Sequence, residues 1–172
     1  VAGFAGPCWC RWLILDIDRA DLIDALADAR KLVAFLRDHY GTEDVPVYFS
    51  GRKGFHILVE LAHAPPPTVG FQHIARTLAE ALAARAGVKI DSRIYDIAHI
   101  IRLPNTRHPR TGLFKRRIDA DALFRLDIDA IRRHAAHPAG DGIPAVRSCP
   151  AKLANDWHEA EQHTTRTTEA RT

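Results

Sequence analysis

Residues 12–18 read Trp-Leu-Ile-Leu-Asp-Ile-Asp, and this short run decides the fold that we expect for the chain. Side chains alternate between the two faces of a strand, so the odd-numbered aliphatic residues share one face while Asp16 and Asp18 share the other. The segment therefore predicts a β-strand with one apolar face and one acidic face. Helices that cover the apolar face would leave both carboxylates on an open face.

Two amphipathic helices are predicted downstream, over residues 21–39 and 69–86, because their apolar residues recur at helical spacing. Glycines at positions 41 and 87 are suited to end them. Further strands are predicted at 45–50, 55–61, 88–91, 99–103 and 113–118, with one or two short helices between 120 and 134. This order predicts an α/β (α+β) fold, a two-layer mixed sheet with helices on one face.

The 172 residues are enough for one domain with a real core. We expect that domain to comprise residues 1–137. Residues 138–172 are expected to be a polar, flexible tail, since the apolar pattern fades there. No apolar run is long enough to cross a bilayer and no signal peptide opens the chain, so a cytoplasmic location is expected.

The net charge of +3 at pH 7 is modest, but its distribution is informative. Between positions 102 and 118 the charged residues are all basic: Arg102, Arg107, Arg110, Lys115, Arg116 and Arg117. Such a basic stripe is typical of a phosphate-binding surface, and it is equally compatible with a solvated basic loop.

The three cysteines, at positions 8, 10 and 149, do not predict a structural framework. Their odd number argues against a disulfide scaffold. Cys8 and Cys10 lack the second ligand pair that a structural zinc site needs.

Polar residues on two other predicted strands point away from the apolar face of the sheet, as Asp16 and Asp18 do. His56 points away from the apolar residues around it, and Asp91 points away from Val88 and Ile90. These four polar residues would then gather on the open face of the sheet. Because the sequence does not show the order of the strands, this gathering is a geometric hypothesis.

The pair Asp16 and Asp18 predicts a cation site. Two carboxylates held close together raise each other's pKa or need a cation, and hard oxygen ligands suit Mg²⁺ or Mn²⁺. A third carboxylate would let the site hold two ions. The alternative interpretation is that Asp18 caps the following helix and that Asp16 is an exposed strand residue.

Two further segments carry groups suited to phosphate. The first is Ser50-Gly-Arg-Lys-Gly-Phe-His56, in which the glycines permit a tight turn and the flanking side chains can donate to phosphate oxygens, although a basic hairpin tip would look the same. The second runs from Asp91 to Lys115. There Arg102 sits within an apolar stretch, where a lone cation is costly unless a triphosphate or a carboxylate pairs with it.

Taken in order, these segments resemble the archaeo-eukaryotic primase superfamily, and most closely the primase-polymerases of phages, plasmids and other mobile elements. The family pattern is Asp-X-Asp on a strand, Ser-Gly-X-basic-Gly-X-His, a third Asp on a strand, then a basic residue and a His before Pro-X-Thr-Gly. Here it is carried by Asp16 and Asp18, the segment 50–56, Asp91, Arg102 and the segment 108–112. The fold implied is a catalytic core related to the RNA-recognition motif.

The resemblance implies a template-dependent nucleotidyltransferase, a DNA primase or DNA polymerase acting in replication priming or primer extension. It would form phosphodiester bonds from NTPs or dNTPs by a two-metal mechanism with Mg²⁺ or Mn²⁺. The implied partners are a single-stranded DNA template and a primer, with no membrane. A helicase or accessory priming domain on another chain is a further candidate partner.

The resemblance also assigns roles to individual residues. The two ions would be held by Asp16, Asp18 and Asp91, with Asp96 as the alternative third carboxylate. The nucleotide would be bound by Ser50, Arg52, Lys53, His56, Arg102 and His108, with Lys115 as a weaker candidate for contact with the triphosphate or the template.

Two other functions fit parts of the sequence. A non-catalytic nucleic-acid-binding module would use the basic stripe alone. An aspartyl-nucleophile phosphatase would use Asp16 as nucleophile and Asp18 as acid-base, but Ala20 stands where that family usually has Thr or Val. That reading also leaves the segment 50–56 without a role.

Overall fold

The structure is a computed structural model that describes residues 4–43, 45–61, 66–96, 99–140 and 150–169. Within these ranges the chain forms four β-strands and five α-helices. In chain order they are β1 (Trp12–Asp18), α1 (Leu22–Tyr40), β2 (Val47–Phe49), β3 (Gly54–Glu60), α2 (Phe71–Arg85), β4 (Arg116–Ile118), α3 (Ala120–Arg125), α4 (Ile128–Ala135) and α5 (Ala151–Glu169). A 3-10 helix, Ser92–Tyr95, lies between α2 and β4.

The first strand and helix form as the sequence predicts. Alternate residues of β1 are buried, beginning with Leu13, while Asp16 and Asp18 are only partly covered. The side chain of Asp21 accepts a hydrogen bond from the backbone N–H of Ile23 at 2.8 Å and caps α1. Gly41, with φ of 62°, ends the helix in the left-handed conformation.

The strands lie in the order β1-β3-β2-β4, and all three described pairings are antiparallel. The α/β (α+β) fold class is confirmed, with the difference that the described sheet is antiparallel rather than mixed. The register places one residue of each strand in a single row across the open face. That row is Asp16, His56, Tyr48 and Arg117.

The opposite face of the sheet carries the core. Leu15, Phe49 and Ile57 are fully buried there, and α1 and α2 pack over them. The short helices α3 and α4 complete this layer through Leu123 and Ile131, which are also fully buried. Helices α1 and α2 therefore cover only one face of the sheet, as the alternation of side chains along the strands predicts.

Two predicted strands do not form. Residues 88–91 and 99–103 belong to no strand, and only 116–118 of the predicted strand 113–118 belong to the sheet. Residues 88–91 follow β1 so closely that the N–H of Asp91 donates to the carbonyl oxygen of Asp16 at 2.8 Å, but they make no continuous ladder. Strand-like composition alone does not supply a partner strand with free backbone groups.

A flexible tail is expected after residue 137, but part of that segment is helical in the structure. Residues 151–169 form α5, which packs on α2. Leu153, Trp157 and Ala160 are buried in the core cluster, and their helical spacing gives α5 an apolar stripe despite its polar composition. Residues 141–149, which include Cys149, and residues 170–172 lie outside the described part of the chain.

In the described ranges, no helix combines the length and the hydropathy that a membrane span requires.

Candidate active site

Three carboxylates lie near one another at the edge of the sheet formed by β1. Asp16 and Asp18 project from the open face of that strand, and the backbone bond from Asp91 to Asp16 brings the third carboxylate beside them. Asp91 is therefore the acidic residue that the fold places next to the pair. Asp96 lines a separate apolar pocket of about 460 Å³ with Trp12.

The carboxylates repel one another in this structure, and nearby cations offset part of that repulsion. Burial and the charges of Asp18 and Asp91 raise the pKa of Asp16 to about 7. Asp91 is instead held ionised, because the guanidinium of Arg93 donates to both of its oxygens and lowers its pKa. Asp18 lies 3.1 Å from the Lys53 ammonium. At this acidic edge, formed by Asp16, Asp18 and Asp91, the charges of the last two residues are thus offset by Lys53 and Arg93.

We predict that Asp16→Asn stabilises the metal-free protein increasingly as the pH rises. The pKa of Asp16 is raised from 3.8 to about 7, so between these values the native state binds more protons than the unfolded chain. The free energy of unfolding of the wild type therefore falls as the pH rises through that window. Relative to the variant, the difference should reach on the order of 3 kcal/mol by about pH 8.

Urea denaturation in EDTA, at about pH 4.5 and about pH 8, measures this difference. His56, whose pKa is lowered to about 3, titrates in the opposite sense, but it is present in both proteins and so largely cancels. A gap between variant and wild type that stays constant with pH would contradict the electrostatic account of Asp16.

The turn between β2 and β3 lies directly beside the acidic edge. The N–H of Ser50 donates to the carbonyl oxygen of Gly54 at 2.9 Å, and the Gly54 N–H donates to Ser50 Oγ at 3.2 Å. Gly51 has φ of 87°, a conformation that favours glycine. Arg52 is exposed at the tip of the turn, and the neighbouring Lys53 reaches back to Asp18.

The loop 104–112 packs against this turn. Thr111 Oγ1 donates to the Gly51 carbonyl oxygen at 2.6 Å, and Arg102 Nη2 donates to the Ser50 carbonyl oxygen. The loop is closed by a hydrogen bond of 2.8 Å from the His108 N–H to the Leu113 carbonyl oxygen. The structure therefore brings the second and third sequence segments together through hydrogen bonds from side chains to backbone carbonyl oxygens.

Arg102 Nη1 is buried and has no hydrogen-bond partner among the described residues. An unpaired buried donor is costly, and burial also lowers the pKa of this guanidinium. An anionic ligand that reached Arg102 would remove this cost.

His56 and Lys115 form the centre of the open face. Nε2 of His56 lies 3.6 Å from Oδ1 of Asp16, and Nδ1 lies 2.8 Å from the Lys115 ammonium. Burial and the neighbouring positive charges of Lys115 and Arg102 lower the pKa of His56, so the imidazole is neutral at physiological pH. Lys115 itself is buried, and its pKa is lowered to about 8.

The basic stripe is not one continuous surface. Arg116 is buried, where its guanidinium donates to the carbonyl oxygens of His134 and His137. Arg107 donates to the Gly112 carbonyl oxygen at 3.1 Å within its own loop. Part of the stripe therefore stabilises the fold, and part remains available to a ligand.

The donor set fits a hard divalent cation, although the described residues hold no ready-made group of three ligands. Asp16, Asp18 and Asp91 supply the oxygens that Mg²⁺ and Mn²⁺ prefer. The cations that now neutralise them, Lys53 and Arg93, have side chains that are 42% and 84% exposed and free to turn outward. Burial and mutual repulsion together raise the pKa of Asp16, and a bound cation would relieve the repulsion.

Several residues that shape the site were not identified from the sequence. Arg93 lies two residues after Asp91, yet nothing in the sequence shows that it folds back to pair with it. Tyr48 lies under Lys115, with 5.4 Å between the ammonium and the ring centroid, and only the register with His56 reveals its place. The Tyr95 hydroxyl donates to the Ile14 carbonyl oxygen and ties the segment after Asp91 to β1.

The family comparison matches residues 15–86 to the DNA primase small subunit family. This range includes Asp16, Asp18 and the turn 50–56, and it ends before Asp91. Over residues 15–86, the match supports the resemblance to the archaeo-eukaryotic primase superfamily that the motifs indicate. It does not distinguish the mobile-element type within that superfamily.

Curated relatives agree with this resemblance. The DNA primase small subunits PriS of Saccharolobus islandicus (strain M.14.25) and Saccharolobus solfataricus (strain P2) are each 29% identical to this chain over 115 residues. The matched region covers 54% of this chain and 34% of each relative, so the chain spans about a third of the length of these relatives. No solved structure matches the chain.

Proposed function

We propose that this chain is the catalytic core of a primase-type nucleotidyltransferase, which extends a primer on a single-stranded DNA template. The observation that carries the proposal is the juxtaposition on one open face of three carboxylates and a basic turn. Asp16, Asp18 and Asp91 lie on the β1 side, and the turn 50–54 with Arg102 lies on the β3 and β2 side. Phosphoryl transfer needs these two kinds of group on either side of the reacting phosphate.

The carboxylates of Asp16, Asp18 and Asp91 would hold two Mg²⁺ or Mn²⁺ ions. When bound, such ions polarise the reacting phosphate, lower the pKa of the primer hydroxyl and neutralise the leaving pyrophosphate. The protein's own contribution is to hold the acidic edge rigid. The antiparallel pairing of β1 with β3 and the Asp91 to Asp16 backbone bond fix the separation of the carboxylates.

The triphosphate would lie over the turn and the loop. Its oxygens would accept from Arg52, Lys53 and Arg102, with Ser50, His56 and His108 as further contacts. Arg102 is the strongest of these candidates, because its Nη1 is buried and unpaired within the described part of the chain. A phosphate oxygen would satisfy that donor and form a charge-assisted hydrogen bond.

The nucleic-acid strands would pass beside the same turn. A cleft of about 510 Å³ there is lined by the carboxylates of Asp21 and Asp129, by the N-terminal end of α1, and by three cations, Arg52, Lys53 and Arg132. These cations suit a phosphate backbone. A helicase or an accessory priming domain on another chain remains part of the proposal as a partner for de novo synthesis.

The deciding experiment is primer extension on a single-stranded DNA template with Mg²⁺ or Mn²⁺, run separately with NTPs and dNTPs. We expect metal-dependent extension, with the preferred sugar read from the product. Template binding is measured in parallel by fluorescence anisotropy. Binding without extension under every metal and nucleotide condition would reject the enzyme and favour a non-catalytic nucleic-acid-binding module.

We also predict that Arg93→Ala tightens Mn²⁺ binding severalfold. The Arg93 guanidinium occupies both oxygens of Asp91 and so competes with a metal for that ligand. Because the Arg93 side chain is largely exposed to solvent, its pairing with Asp91 is weak. Its removal should therefore lower the dissociation constant for Mn²⁺ only about threefold to tenfold. Isothermal titration calorimetry measures it. Arg11→Ala, which removes the same charge from a pair with Glu60 at the opposite end of the pairing of β1 with β3, is the matched control. Equal affinities in the two variants would contradict the prediction.

A further inference from the structure

Lys115 occupies an unusual position for a lysine. Only 4% of the residue is exposed, and it lies immediately before β4 at the centre of the open face. Its backbone is held on both sides, since its N–H donates to the Thr106 carbonyl oxygen at 3.0 Å and its own carbonyl oxygen accepts from the Asn105 N–H at 2.8 Å. The loop therefore holds the backbone of Lys115 in place, and this positions the ammonium.

The three donors of that ammonium have three neighbours in the described structure. Nζ lies 2.8 Å from Nδ1 of His56 and 2.8 Å from the carbonyl oxygen of Arg102, and it lies 5.4 Å from the centroid of the Tyr48 ring. The first two are hydrogen bonds and the third is a cation–π contact. A direct bond from Lys115 to a triphosphate would have to break one of these contacts.

The contact with His56 determines which imidazole nitrogen carries the proton. An ammonium only donates, so Nδ1 must accept and must be unprotonated. A neutral imidazole then carries its proton on Nε2. Nε2 is the nitrogen that faces Asp16, at 3.6 Å from Oδ1. The donor of His56 is thus directed towards the acidic edge, where the reacting phosphate would lie.

We propose that Lys115 is a positioning residue that locks His56 in the Nε2–H tautomer and so presents a donor to the nucleotide, without contacting the nucleotide itself. The proposal deepens the proposed function and rests on it for the identity of the ligand. The tautomer, by contrast, is a property of the free protein and is testable whether or not the chain extends a primer.

The first test is ¹⁵N NMR of the protein labelled at histidine, with the His56 signals assigned by their loss in His56→Ala. The wild type is expected to show only the Nε2–H tautomer at His56. Lys115→Met should give a mixture of tautomers, whereas Lys115→Gln, whose amide can still donate to Nδ1, should retain the wild-type pattern. Lys31→Met, an exposed lysine on α1, is the matched control. An unchanged tautomer in Lys115→Met would overturn the proposal.

The second test is a double-mutant cycle on primer extension. If Lys115 acts through His56, Lys115→Met should lower kcat/KM for the nucleotide by about 10-fold to 100-fold in the wild-type background. In the His56→Ala background it should lower kcat/KM by less than about threefold. Losses that multiply would show that Lys115 contacts the nucleotide directly, and would overturn the proposal. Circular dichroism confirms that each variant folds, and Lys115→Leu, whose side chain also lacks a donor, serves in place of Lys115→Met if that variant does not.

Discussion

Asp16→Asn/Asp18→Asn is expected to extend a primer at least about 10³-fold more slowly than the wild type, with little change in template binding. Asparagine matches aspartate in size, so the pairing of β1 with β3 survives and only the negative charge is lost. The proposed metal ions would then lack two of their three protein carboxylates. Rates of single-nucleotide addition under saturating template measure the loss.

The control for this variant is Asp38→Asn, which removes an exposed carboxylate from α1, away from the acidic edge. It should extend at the wild-type rate. The double variant should also be at least as stable as the wild type above neutral pH, because it lacks the buried charge of Asp16, whose pKa is raised by burial and by repulsion from its neighbours. Extension by the double variant within about tenfold of the wild type would exclude these carboxylates as the catalytic centre.

Gly54→Ala is expected to lower the free energy of unfolding by about 3 kcal/mol or more, enough to unfold a marginally stable domain. Gly54 opposes Asp18 in the pairing of β1 with β3, and a Cβ there would lie 2.1 Å from the carbonyl oxygen of Ile17. The atom in the way belongs to the backbone, so no side-chain movement relieves the contact. The strands must separate where they carry Asp18 and His56.

Urea denaturation followed by circular dichroism measures this loss, with Gly70→Ala as the control. Gly70 has a negative φ, and the nearest atom to a Cβ there is Thr68 Oγ1 at 3.9 Å, so that change should alter stability by less than about 0.5 kcal/mol. Equal stability of the two variants would show that β1 and β3 are not held as closely as described. The expected effect also explains the glycine before Phe-His in the motif. It is needed for the close approach of two strands rather than for phosphate contact.

The interior of the fold was predictable because burial follows local periodicity. The alternation in 12–18 predicts the buried face of β1, and the helical spacing in 21–39 and 69–86 predicts α1 and α2. The same logic was available for residues 151–169, where Leu153, Trp157 and Ala160 share one face. There the polar composition concealed a narrow apolar stripe, and the expected flexible tail is a helix.

The sequence by itself determined the chemistry that is present and the face of each strand on which it lies. It did not determine which strands are neighbours, because strand order depends on long-range backbone pairing. Only the tertiary structure places Asp91 beside Asp16 through a loop rather than a strand, folds Arg93 onto Asp91, and leaves Arg102 with an unpaired donor. Only the register across β3, β2 and β4 sets Lys115 against both His56 and Tyr48. These contacts join residues far apart in the chain, and their geometry follows from the packing of the sheet, which no local pattern encodes.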